Sequence, residues 1–182
     1  MRERIVPGGP RRPPSRKRIR IAAEVYSDPA AVFLITICTA ERRALFSSPK
    51  LAAVTFRTIV DGGLFTDAVC HAACLMQDHL HLVISPKDVN LVAPVNAWKS
   101  YTTHLLHQMG VQGPVWQRSF YDHALRTEES TRSAAEYVVE NPVRKGLVED
   151  WTAYPYVWAY WVQGSHTTAG RPQRVVPTTL DT

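Results

Sequence analysis

The sequence predicts an α+β domain of the ferredoxin-like, split βαβ kind, an antiparallel sheet with helices on one face and an added C-terminal helix. Apolar, β-branched runs alternate with segments of helical spacing in the order β-α-β-β-α-β, followed by that last helix. The chain has 182 residues, enough for one good core and near the size of one domain. Its ends, residues 1–20 and 163–182, are rich in Pro, Gly, Ser and Thr and lack apolar periodicity. A single folded unit is therefore expected over 21–162, between a basic flexible arm and a flexible C-terminal tail.

VFLITICT follows the turn signal SDPA and reads as a buried strand. From Pro49 to about Val60, Leu51, Val54, Phe56 and Ile59 recur at near-helical spacing, and Gly62 and Gly63 stop the helix. DAVCHAACLM and HLHLVISP read as two strands joined around Gln77 and Asp78, with Pro86 closing the second. Leu91, Val95, Trp98, Thr102 and Leu105 form one stripe of a second helix, which Gly110 and Gly113 end. PVWQRSFYDHALR is aromatic and extended, and reads as a fourth strand. Thr127 is an acceptable N-cap for a last helix with Glu128 and Glu129 in its first turn, where carboxylates suit the dipole. That helix is expected to run to Asn141, where Pro142 stops or bends it. The second sheet face is expected to be left uncovered.

The formal charge of +5 is unevenly distributed. Residues 1–20 hold eight of the 21 Arg and Lys and one of the 16 acidic residues, leaving 13 basic and 15 acidic side chains elsewhere. The arm is thus +7 and the body −2. A basic, proline-interrupted arm suits a phosphate backbone, and is also the composition of a solubilising segment. No apolar run approaches the roughly 20 residues needed to span a bilayer, and the arginine-rich N-terminus lacks an apolar region behind it, so a cytoplasmic protein without membrane contact is expected. Cys38, Cys70 and Cys74 are an odd count and read as reduced, mostly buried thiols.

In HLHLVI the side chains alternate between faces, so His79 and His81 share one face while Leu80, Leu82 and Ile84 share the other. Two imidazoles about 7 Å apart at Cα can converge on one ion, although a solvated strand face also acquires such a pair by chance. Tyr137 and Asn141 are four residues apart on the predicted helix and lie on one side of it. Alone, that pair reads equally as a core tyrosine and a helix-ending asparagine. Cys70 and Cys74 invite a zinc site, but on a strand they stand about 13 Å apart, too far to share an ion.

MQDHLHLVI, WKSYTTHL, VWQRSFYDHALR and YVVENPVRKGLV, in this order and spacing, resemble the REP-associated tyrosine transposases and their single-tyrosine insertion-sequence relatives. The similarity extends through RKRIR and FLITICTAERRALF upstream and to WTAYPYVWA downstream, covering about residues 16–160. The resemblance implies a histidine-hydrophobe-histidine endonuclease in which His79 and His81 hold Mg²⁺ or Mn²⁺ and Tyr137 attacks a DNA phosphodiester. It also implies a third ligand from the tyrosine helix, a glutamine in insertion-sequence relatives and Asn141 here, as in the REP-associated branch. The implied product is a 5′-phosphotyrosyl link with a free 3′-hydroxyl. Implied partners are single-stranded or hairpin DNA, from palindromic repeats or insertion-sequence ends, handled by a monomer or homodimer.

Lys99, Arg118, Arg126, Arg132, Arg144 and Lys145 are candidate phosphate contacts, because a nearly neutral body binds DNA only if its basic side chains gather on one face. Lys99 and Arg126 rank first, lying inside the family-like motifs. His123 is a candidate accessory group near the metal or a structural histidine, with Asp122 as its possible partner. Trp116, Phe120 and Tyr121 could stack on bases, with sheet packing the expected fate of two of the three. His71, His104 and His107 receive no role. The rivals are a DNA-hairpin-binding protein that no longer cuts, expected to have lost His79, His81 or Tyr137, and an RNA-binding module, expected to carry aromatic pairs on its central strands.

Overall fold

The computed structural model describes residues 21, 23–61, 68–87, 89–125 and 128–162. The expected arm, the C-terminal tail, the Gly62–Gly63 helix stop, Arg126 and Thr127 lie outside the described residues. Five antiparallel strands, β1 (Val32–Cys38), β2 (Ala68–Leu75), β3 (His79–Pro86), β4 (Tyr121–Leu125) and β5 (Val157–Ala159), form one sheet in the order β4-β1-β3-β2-β5. Helices α1 (Pro49–Val60), α2 (Val92–Gln108), α3 (Glu128–Val139) and the short α4 (Asn141–Arg144) complete it, with several 3₁₀ turns.

The first four strands and α1 to α3 realise the predicted order. Alternation along the strands divides the core in two. Phe33, Ile35 and Ile37 of β1 and Leu80, Leu82 and Ile84 of β3 face α1 and α2, which bury Phe56, Ile59, Val95, Trp98 and Leu106 against them. Ala72 and Cys74 of β2 and Val83 of β3 face the other way, against Ala134, Ala135, Val138 and Val139 of α3.

The second sheet face, expected from sequence to be left uncovered, is instead covered by the tyrosine-bearing helix. Small alanines let that helix approach closely, and the apolar residues needed to bury it alternate with the core-facing residues of the same strands. A second difference concerns the fourth strand. Only Tyr121–Leu125 pair with β1, because Val115 and Trp116 are drawn into the core, where Trp116 packs on Trp98 and Phe46 and forms a lone bridge with Thr39. β5 was not expected; at three residues it is too short to show a period of its own, and it forms by pairing with β2.

Candidate active site

The face under α3 carries the histidine pair. Strand alternation puts His79 and His81 beside Val83 on that face, and register places Cys38 opposite His79, with Thr36 and Cys74 flanking His81. The two rings lie 4.6 Å apart at 87°, and their Nε2 atoms are 3.0 Å apart. Adjacent ligands of an octahedral ion at about 2.1 Å stand about 3.0 Å from each other, so this spacing fits a Mg²⁺-type ion. Among the described residues no third His, Cys, Asp or Glu joins the pair in a metal-holding group.

Each ring is held from its far nitrogen. His79 Nδ1–H donates to Asp78 Oδ1 at 2.5 Å, which leaves Nε2 with its lone pair. His81 Nδ1 lies 2.9 Å from the Thr36 hydroxyl, which can donate or accept, so either His81 tautomer is satisfied. Burial, followed by the charges of His79, Arg144 and Arg42, pushes His81 down to about 3. His81 is thus neutral at any ordinary pH, the form in which an imidazole can bind a metal. Burial would raise Asp78, but the hydrogen bonds and charges of His79 and Arg42 outweigh it and hold the carboxyl below its usual range. Burial raises Cys38, and lifts Cys74 to about 12, so both flanking thiols stay protonated. Cys70 faces α1 and α2 while Cys74 faces α3, because the register shifts between Cys70 and Ala72. This removes the zinc pairing more firmly than distance does.

Tyr137 reaches this site from the same chain. Its residues Ala134, Ala135 and Val138 anchor α3 on the sheet, and the phenol, 50% exposed, lies with its ring centroid 6.4 Å from that of His81. The Arg144 guanidinium lies 4.0 Å from the centre of the Tyr137 ring and donates to the Tyr137 carbonyl. Asn141 does not close α3, which ends at Val139; it opens α4, with Pro142 in the first turn, where a missing N–H costs nothing. Its buried side chain donates Nδ2 to the carbonyls of Tyr137 and Val138, both at 3.2 Å. Both carbonyls lie in the last turn of α3, where helical donors run out, and that of Tyr137 also accepts from Arg144.

His79, His81, Tyr137 and Arg144 are thus brought together, with Asn141 bound to the Tyr137 and Val138 carbonyls, and other expected contacts are not. Lys99 is buried among the α2 side of the fold, and its ammonium donates to the carbonyls of Gln117 and Arg118 at 2.7 and 3.0 Å. Desolvation lowers its pKa. It holds a loop rather than presenting a free charge. Arg118 and Lys145 are exposed, and Arg132 is exposed but paired with Glu136 at 3.0 Å. His123 is exposed on the site face two strands from His81, while Asp122 points to the opposite face and accepts from Tyr26, so the expected Asp122–His123 pairing is absent. Trp116 and Phe120 pack with the core, and Tyr121 is exposed.

Sequence reasoning missed three groups. Asp78 directly precedes His79 and Thr36 is a polar residue inside an apolar strand, both readable signals in hindsight. Arg42 pairs with Asp78 Oδ2 at 3.1 Å from a separate loop, which no local pattern announces. That loop is costly. Glu41 and Arg42 both have φ of 56°, and left-handed non-glycine residues cost about 1–3 kcal/mol each, against roughly 0–1 kcal/mol from an exposed ion pair.

The sequence model of the family described as IS200-like transposases matches residues 31–141, from the residue before β1 to the first residue of α4. The chain belongs to that family. A Haemophilus influenzae protein named as a REP-associated tyrosine transposase is 28% identical over 97 residues, 47% of this chain and 55% of that protein. The REP-associated tyrosine transposase of Escherichia coli is 29% identical over 59 residues, 32% of this chain and 35% of that protein. The chain thus spans about half the length of the first relative and about a third of the second. A solved REP-associated tyrosine transposase bound to a REP hairpin superposes with a TM-score of 0.58 at 18% identity, over 83% of this chain and 96% of that one, and so shares the fold. The IS200-like match ends at Asn141, so it takes in His79, His81 and Tyr137 but not Arg144.

Proposed function

We propose that this IS200-like transposase cuts one strand of single-stranded or hairpin DNA through Tyr137, with Mg²⁺ or Mn²⁺ held by His79, His81 and Asn141, and rejoins strands from the covalent intermediate. One observation carries the reading: two Nε2 atoms 3.0 Å apart and a half-exposed phenol beside them, all from one chain. Use of Tyr137 with its own histidine pair follows, and a monomer suffices. Hairpin DNA is favoured because the solved relative of the same fold is bound to a REP hairpin.

Tyr137 Oη gives up its proton and bonds to phosphorus while the P–O3′ bond breaks, so the 3′ oxygen leaves as a hydroxyl and the 5′-phosphate stays on the tyrosine. The ester retains the energy of the diester, so attack by a second 3′-hydroxyl joins new ends and restores the phenol. The bound ion would serve as a Lewis acid on the scissile phosphate and as a template for it. With Nδ2 of Asn141 engaged at the helix end, Oδ1 is the atom left to act as ligand. Arg144, beside the phenol, is placed to meet the phosphate charge. Arg118, Arg126, Arg132 and Lys145 supply further phosphate contacts, and Lys99 contributes through the Gln117–Arg118 loop it holds. The catalytic unit is residues 21–162, the basic arm 1–20 adds nonspecific DNA affinity, and the protein acts in the cytoplasm.

The test is incubation with 3′-labelled hairpin DNA and Mn²⁺, followed by denaturing electrophoresis. A labelled protein adduct is expected from the native chain and none from Tyr137→Phe or in the presence of chelator. Binding without any adduct would leave only a hairpin-binding protein, and an undiminished adduct in Tyr137→Phe would overturn the nucleophile.

A further inference from the structure

The strained turn at Glu41 and Arg42 is built against the Gln77–Asp78 connection that leads into the histidine strand. Thr39 N–H donates to the Asp78 carbonyl at 2.9 Å, and its hydroxyl is shared between the carbonyls of Asp78 and Arg43 at 3.0 and 2.8 Å. Ala40 N–H donates to Val115 O at 2.8 Å, and Phe46, itself buried, donates its N–H to Gln77 O at 3.0 Å. The Arg43 guanidinium clamps the carbonyls of Gln112 and Pro114. The turn is thereby pinned on both sides, and what it delivers to the site is the side chain of Arg42. An exposed ion pair does not offset two left-handed residues, so the pair's own stability does not explain the turn.

The Asp78 carboxylate is divided between two donors. Oδ2 accepts from Arg42 Nη1 at 3.1 Å while Oδ1 accepts from His79 Nδ1 at 2.5 Å. From this geometry we infer that Arg42 is a positioning residue for the metal site: acting through Asp78, it holds His79 in the tautomer and orientation that direct its Nε2 lone pair toward the ion. A carboxylate has acceptors only, so it places the proton on Nδ1, provided it stays in plane with the ring. Asp78 is part-exposed and adjacent in sequence to His79, and without a second anchor it is free to turn to water. His81 rests instead on Thr36, whose hydroxyl serves either tautomer, so the hydrogen-bonded path from Arg42 reaches His79 first and His81 only through the contact between the two Nε2 atoms.

The inference rests on the metal-binding reading above, and its test separates the two. Histidine ¹⁵N shifts of the metal-free protein and Mn²⁺ affinity without DNA are measured for the native chain, Arg42→Ala, Arg42→Lys, Arg42→Gln and Glu41→Gly, each with a thermal melt. In Arg42→Ala and Arg42→Gln, His79 is expected to become a tautomer mixture, with His81 responding only through the shared Nε2 contact, and Mn²⁺ affinity to fall about tenfold. Arg42→Lys restores part of both, and Glu41→Gly, which relieves a left-handed residue and keeps Arg42, alters neither while melting higher. Should one variant fail to fold, the remaining Arg42 substitutions decide. Native His79 shifts and native Mn²⁺ affinity in the folded Arg42 variants would overturn the proposal, as would a loss confined to DNA binding, the mark of a phosphate contact. If the native chain takes up no Mn²⁺, the metal reading fails, and the His79 tautomer alone still decides for or against Arg42.

Discussion

The ring of His81 stands 6.4 Å from the ring of Tyr137, at 75°, so the sheet and α3 of one chain meet at the phenol. That meeting depends on how closely α3 lies on β2 and β3, which small side chains permit.

Ala135 is fully buried between α3 and the sheet. Ala135→Leu is expected to cost about 1–3 kcal/mol of stability through overpacking and to push the helix outward. Covalent adduct formation should fall steeply while Mn²⁺ binding, which uses the strand, changes little. Parallel measurement of adduct yield and Mn²⁺ affinity checks this, and equal loss of both would mean that the helix also shapes the metal pair.

Arg144 covers the phenol from α4. An exposed cation–π contact contributes about 0.5–1 kcal/mol, so Arg144→Ala should slow single-turnover cleavage roughly two- to fivefold through looser placement of Tyr137, beyond any loss of DNA affinity. Saturating DNA isolates the rate effect.

Lys99 is a buried donor to two carbonyls. Lys99→Met preserves volume and leaves both carbonyls without their donor, at a cost of about 1–3 kcal/mol. Denaturant unfolding should show that loss, and the salt dependence of DNA binding should keep its native slope. A slope reduced by about one would instead make Lys99 a phosphate contact.

Acid should destabilise the metal-free protein through His81. Its pKa is pushed down to about 3 in the folded chain, chiefly by burial and then by the neighbouring charges, against about 6.5 when unfolded. Above pH 6.5 both states leave it neutral and its contribution is fully present. As pH falls from 6.5 toward 3 the unfolded chain takes a proton that the folded chain refuses, and stability is lost across that window. His71, also lowered by burial, acts with the same sign. Denaturant midpoints between pH 7 and 4 should therefore decline, and His81→Gln should flatten the decline.

Much of this protein is local and so was legible from sequence. The period of two in HLHLVI decided that His79 and His81 share a face, and the spacing from Pro49 to Val60 and from Leu91 onward decided α1 and α2, because side-chain direction in strands and helices follows from backbone geometry alone. Residues whose role depends on a distant partner were not legible. Lys99 sits in a family-like motif yet is turned inward, because two carbonyls of a loop 18 and 19 residues away needed a donor. Asp122 parted from His123 because strand neighbours face opposite sides, and Tyr26, 96 residues earlier, was there to claim it. Asn141 became the first residue of a new helix because Pro142 starts helices more readily than it continues them. Chain order thus determined which faces carry chemistry; only packing decided that α3 covers the histidine face, and that Arg42, from a loop 36 residues before Asp78, stands behind the site, since such contacts form where closure of the core places them.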